Sequence, residues 1–146
     1  MHPNRLAREC VLKALYAYDI SQEAPEKILK STLASFSNHK DLDMEFMKTL
    51  YTYVYENQNW ANQHIKDCLQ NWEFSRVATV DQILLRMGIC EIYFMEDVPP
   101  KVSISEAVEI AKVYSTGDSS GFVNGILDAV YKEYLKNEDK KKKDDE

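Results

Sequence analysis

The stretch "VDQILLRMGICEIYFMEDVPPKVSISEAVEIAK", residues 80–112, decides the fold. Its first half carries Val80, Ile83, Leu84, Leu85, Met87, Ile89, Cys90, Ile92, Tyr93 and Phe94, apolar side chains that cover most of the circumference of a helix. A helix that is apolar all round is buried by its neighbours. The spacing therefore predicts a central helix from Thr79 to about Met95, with Thr79 and Gln82 in the T-x-x-Q form of a capping box. "EDVPP" stops it: Pro99 and Pro100 cannot continue the ladder, and Val98 is pushed out of helical geometry by the proline after it. A sixth helix follows, with Ser103 and Glu106 in capping-box spacing or Ser105 as the cap. Ala107, Val108, Ala111 and Tyr114 make its face.

Outward from this pair the same periodicity recurs. From Asn4 to about Asp19, Ala7, Val11, Ala14, Leu15 and Tyr18 return every three or four residues, with Arg5, Arg8 and Glu9 off the stripe. Pro25 suits the first turn of a second helix, faced by Ile28, Leu29, Leu33 and Phe36. Phe46, Met47, Leu50 and Val54 mark a third helix; Ala61, Ile65, Cys68, Leu69 and Trp72 mark a fourth. Downstream, "STGDSS" breaks the pattern before a seventh helix carrying Phe122, Val123, Ile126, Leu127, Val130 and Tyr134. No strand pattern with turn chemistry competes. The pattern predicts an all-α fold: a single helical domain over residues 1–135, then a charged tail, 136–146, of disordered composition.

Composition narrows the function. A chain of 146 residues with four glycines and four prolines has little material for the turns of an all-β fold and no room for a second catalytic module. The formal charge is −6, and the tail "KNEDKKKKDDE" is balanced, so the negative charge belongs to the folded part. That argues against broad, non-specific nucleic-acid binding but leaves room for a local basic stripe, which Arg5, Arg8 and Lys13 supply. Cys10, Cys68 and Cys90 are far apart in apolar patterns and read as buried, reduced thiols rather than metal ligands or nucleophiles. With no secretory signal and no apolar run of about 18 residues, a cytoplasmic protein is expected. His2, His39 and His64 fall in separate segments, none beside a nucleophile motif, so neither a catalytic residue, a metal nor a cofactor is expected. Tyr51, Tyr53 and Tyr55 cannot all face one way on a helix, so some are expected at the surface.

"STGDSSGFVNGILD", residues 115–128, concentrates turn chemistry at one helix start. It offers free N–H groups, the hydroxyls of Ser119 and Ser120, a close-approach glycine at 121 and the ring of Phe122, a set suited to one or two unstacked nucleotides. The alternative is a plain helix corner capped by Asp118. A P-loop is excluded, since the stretch lacks its lysine and follows a helix.

Three blocks, "ARECVLKALYAYDIS" (7–21), the 80–112 stretch and "STGDSSGFVNGILD", together resemble the bacterial transcription antitermination factor NusB family. The resemblance spans nearly the whole chain, although residues 22–75 carry little signature of their own. It implies about seven helices in two packed helical bundles and a non-enzymatic role. The family binds the boxA element of ribosomal RNA leader transcripts together with a small-subunit ribosomal protein, acting as NusE, so that RNA polymerase reads past terminators. Carried onto this sequence, the arginine-rich opening falls on Asn4 to Arg8; Arg5 and Arg8 are kept, whereas Asn4 and Leu6 stand where the family is often basic. Asp118 and Phe122 match the RNA-contacting stretch, and Tyr18 and Asp81 match positions associated with the ribosomal-protein partner. Two other readings stay open: a structural adaptor, monomeric or homodimeric, with weak RNA binding, and a NusB-like domain associated with ribosomal RNA methylation.

Overall fold

A computed structural model describes residues 4–70 and 73–144. All regular structure among them is helical: α1 (Arg5–Ser21), α2 (Pro25–Ser35), α3 (Met44–Glu56), α4 (Gln58–Cys68), α5 (Thr79–Phe94), α6 (Pro100–Tyr114) and α7 (Ser119–Asp144), with a 3₁₀ turn at Phe74–Arg76. The chain divides into two compact units, one up to Gln58 and one from Asn59 onward. The single domain expected over residues 1–135 is thus built as two bodies.

In the first unit α1, α2 and α3 pack on one another. Asn4 precedes α1 in the left-handed region (φ 69°), a conformation asparagine tolerates better than most residues. Ala7, Cys10, Val11, Leu12, Ala14 and Leu15 go inside as the stripe requires. Arg8 goes with them. Expected off the stripe, it is only 2% exposed, its guanidinium 4.9 Å from the centre of the Phe46 ring. A planar cation on an aromatic face can be buried where a compact ammonium could not. In α3, Asp43 caps the helix by accepting from Phe46 N at 3.0 Å. The tyrosine run splits as helix geometry demands: Tyr51 is buried and donates its hydroxyl to Pro25 O at 2.8 Å, while Tyr53 and Tyr55 are half-buried. Burial pushes the Tyr51 phenol up to about 12, with Glu26 adding to the shift.

The second unit is organised by α5, whose residues from Ile83 to Ile92 are all buried, against α6 and α7. Gly88 sets the closest approach: a Cβ there would lie 2.7 Å from Leu127 Cδ1, and Leu127 is fully buried. Both predicted capping boxes are absent. Thr79 is already inside α5, behind Ala78, and Gln82 sends its amide to Val77 O (2.8 Å) and Phe74 O (3.3 Å). α6 begins at Pro100, because proline at a first helical position gives up an N–H that has no intrahelical partner there. Ser103 is therefore interior, 1% exposed, and donates to Glu91 Oε1 at 3.0 Å, with Glu106 buried nearby in the same helix.

α7 also departs from expectation. It continues through Lys140–Lys143 to Asp144, across most of the segment whose composition predicts disorder. Acids and lysines at helical spacing explain this locally, as in the Lys141–Glu138 pair at 3.7 Å. Residues 145 and 146 lie outside the described part. No helix among the described residues is long and apolar enough to cross a membrane.

Candidate nucleic-acid interface

The corner between α6 and α7 is built by short hydrogen bonds. Ser115 leaves the helix in extended geometry, its N–H still bonded to Ala111 O at 2.9 Å. Thr116 O then accepts from Ser119 N (3.0 Å) and Asp118 O from Phe122 N (3.3 Å), which starts α7. Beside this turn lies an open cavity of about 260 Å³, lined among others by Arg76, Asp81, Thr116, Asp118, Ser119 and Phe122. Asp118 is exposed and Phe122 half-buried. Phe122 also borders a second depression with Cys68, Leu69, Gly121 and Gly125, where both glycines face open space. Its ring is thus not sealed in the core, as a bare apolar spacing would have it.

Two hydroxyls that the sequence offers to a ligand differ in fate. Ser119 is 6% exposed and donates to Asp81 Oδ2 at 2.7 Å, while Ser120 is half-buried. Asp81 itself is 5% exposed, in the first turn of α5. Its other oxygen, Oδ1, lies 2.8 Å from Ser115 Oγ, and Ser115 Oγ lies 2.8 Å from Ser119 Oγ.

Four sequence-predicted residues therefore meet around one cavity: Asp81, Asp118, Ser119 and Phe122. Arg76 joins them and was missed, because it sits in a 3₁₀ turn with no apolar period to place it; the only signal was a cation just ahead of α5. Ser120 stands beside them in the first turn of α7 but does not line the cavity, and Asn4, Arg5, Arg8 and Tyr18 belong to the first unit. Asn4 and Arg5 are half-buried at the start of α1, and Arg8 is inside. Tyr18 is half-buried, edge-on to Tyr55 with ring centres 5.7 Å apart.

Burial raises all three thiols, Cys90 to about 12, which keeps them protonated and poor as nucleophiles at neutral pH. His64 packs on Trp60 and Tyr93, and burial lowers its pKa against the opposing pull of Asp67 and Glu133. His2 lies outside the described residues. No group of three or more His, Cys, Asp or Glu among the described residues could hold a metal ion.

Residues 5–132 match the NusB family model. The chain belongs to the NusB family. It is 42% identical over 129 residues to the transcription antitermination protein NusB of Chloroherpeton thalassium, a match covering 88% of this chain and 61% of that relative. A solved structure of Thermotoga maritima NusB superposes with a TM-score of 0.80 at 36% identity, covering 90% of this chain and 92% of that one. A chain from a crystal structure of antitermination factors NusB and NusE in complex with dsRNA gives 0.80 at 27% identity, covering 92% and 99%. The family-model match runs from Arg5, the first residue of α1, through the α6–α7 corner.

Proposed function

We propose that this protein is a transcription antitermination factor of the NusB type. It binds the boxA element of ribosomal RNA leader transcripts together with a small-subunit ribosomal protein acting as NusE, and it keeps RNA polymerase elongating without catalysing a reaction. The observation that carries the reading is the α6–α7 corner, where an aromatic ring between two depressions, an exposed carboxylate and a cation surround one open cavity. An unstacked base can lie on the Phe122 ring, Asp118 can accept from a base amino group, and Arg76 can meet the phosphate. Arg5 adds charge from α1. Support also comes from a structural relative of the same fold that was crystallised with NusE and dsRNA.

The test is binding of labelled boxA RNA at several salt concentrations, with and without the ribosomal protein. The reading expects binding that falls as salt rises, prefers boxA over a scrambled sequence and tightens when the ribosomal protein is present. Equal binding of both RNAs, unaffected by the ribosomal protein, would point to a structural adaptor instead.

A further inference from the structure

Asp81 and Ser119 come from different helices, and the carboxylate is the hub of the bonds that shape the α6–α7 corner. Ser119 donates to Oδ2 at 2.7 Å; Ser115 Oγ stands 2.8 Å from both Oδ1 and Ser119 Oγ; Thr116 Oγ1 is 3.4 Å from Ser119 Oγ. Each serine hydroxyl has a single proton to give: Ser119 donates its own to Oδ2, and Ser115 shares its own between Oδ1 and Ser119 Oγ. The last residue before the turn and the first residue of α7 are thereby tied to one point on the buried helix α5. Between them lies Asp118, and one turn further lies Phe122, both facing the cavity.

We infer that Asp81 is a positioning residue for RNA binding: through Ser115 and Ser119 it holds the corner in the one conformation that aims Asp118 and Phe122 at an unstacked nucleotide. It does this at 5% exposure, with its two oxygens engaged by Ser115 and Ser119. A corner rich in glycine and serine has many conformations of its own, and a ligand that must first order it binds more weakly. The bonds to Asp81 remove that cost in advance. This inference rests on the proposed RNA contact at the corner.

Full-length Asp81→Ala, Asp81→Asn, Ser119→Ala, the Asp81→Ala/Ser119→Ala double variant and Phe122→Ala are compared for boxA RNA affinity, for its salt dependence and for ribosomal-protein binding. Hydrogen exchange is followed over residues 115–122. Asp81→Ala is expected to weaken RNA binding about tenfold, the scale of a lost hydrogen bond to a charged group, with an unchanged salt slope because no phosphate contact is removed. Exchange at the corner accelerates while the rest of the protein is unaffected. Asp81→Asn, which keeps one acceptor and can turn its amide to the second serine, recovers most of the affinity. The double variant is no weaker than Asp81→Ala alone, since both changes break the same bonds. Loss of ribosomal-protein binding with RNA affinity and corner exchange intact would overturn the inference and place Asp81 on the partner surface; simple addition of the two losses would overturn it too. Should Asp81→Ala not fold, Ser119→Ala decides alone, and undiminished RNA binding by it overturns the proposal. Phe122→Ala leaves these bonds in place and keeps the two failures apart. If it loses no affinity, the RNA reading of the corner fails; if it loses affinity and the Asp81 and Ser119 variants do not, only the positioning role fails.

Discussion

At the start of α1 the chain carries Asn4, Arg5 and Arg8; at the start of α7 it carries Asp118, Ser119, Ser120 and Phe122. Both are polar openings to an amphipathic helix, and the spacing treats their polar side chains as outward in each. In both openings one polar residue turns in. Arg8 lies over the Phe46 ring and Ser119 bonds to Asp81, so each is satisfied by a distant stretch of chain. Their neighbours Arg5, Asp118 and Phe122 keep access to solvent. Burying a polar group is costly unless a partner receives it, and a single sequence shows the group but not the partner. A helix start therefore advertises more binding residues than it has.

The sharpest way to break this comparison is at Arg8. Arg8→Ala removes a fully enclosed side chain and its ring contact, and is expected to cost about 3 kcal/mol of stability, in the range of large-to-small core changes. A urea melt would show it as a lower midpoint with a similar slope. Arg8→Lys should recover only part, because a point charge on a flexible stem does not reproduce the flat stack. A loss below about 0.5 kcal/mol would return Arg8 to the surface class with Arg5.

Phe122→Ala is next in size and tests the other helix start. Loss of base stacking predicts about 1 to 3 kcal/mol of RNA affinity in a chain that stays folded. The ring borders two depressions, so truncation leaves less of a sealed cavity than a core phenylalanine would. Stability falling by several kcal/mol with RNA affinity unchanged would make Phe122 a core residue and the two helix starts alike in having their large side chains inside.

Arg5→Ala complements Arg8→Ala. A half-buried arginine at the first helical position is expected to leave stability within about 0.5 kcal/mol of the parent. Its loss should instead lower RNA affinity on every sequence and reduce the salt slope by about 0.7, the value for one phosphate on a single strand. An unchanged slope would remove α1 from the RNA surface.

The sequence made the helices legible because apolar periodicity is local. All seven were placed, and the burial of α5 followed from Ile83 to Ile92 being apolar in nearly every direction. Helix starts were less legible. Pro100 begins α6 three residues before Ser103, and Gln82 spends its amide on Phe74 and Val77 rather than on a cap. The helical course of Lys140–Lys143 was hidden because composition reports a lack of apolar surface, whereas i,i+3 pairing reports helix. At the candidate site, Asp118 and Phe122 were named through family resemblance. Arg76 was invisible, since it reaches the cavity from a 3₁₀ turn that has no periodicity.

The smallest expected effect is at Asp118, and it separates the two meanings of the corner. Asp118→Asn removes one negative charge beside the cavity and leaves a side chain that serves equally well at a helix start. Asp118 O still accepts from Phe122 N, so the turn itself is kept. If RNA passes here, a phosphate nearby feels one repulsive charge less and affinity rises, or the base preference changes because an amide now offers both a donor and an acceptor. Either shift is about 1 kcal/mol at most, because the carboxylate is exposed and screened by solvent. The gain from lost repulsion should shrink at high salt, whereas a change in base preference should persist. Titrations of two boxA variants at low and high salt distinguish these outcomes. Identical affinities for parent and variant at both salt concentrations, with stability moved by only a few tenths of a kcal/mol, would leave the corner a capped turn.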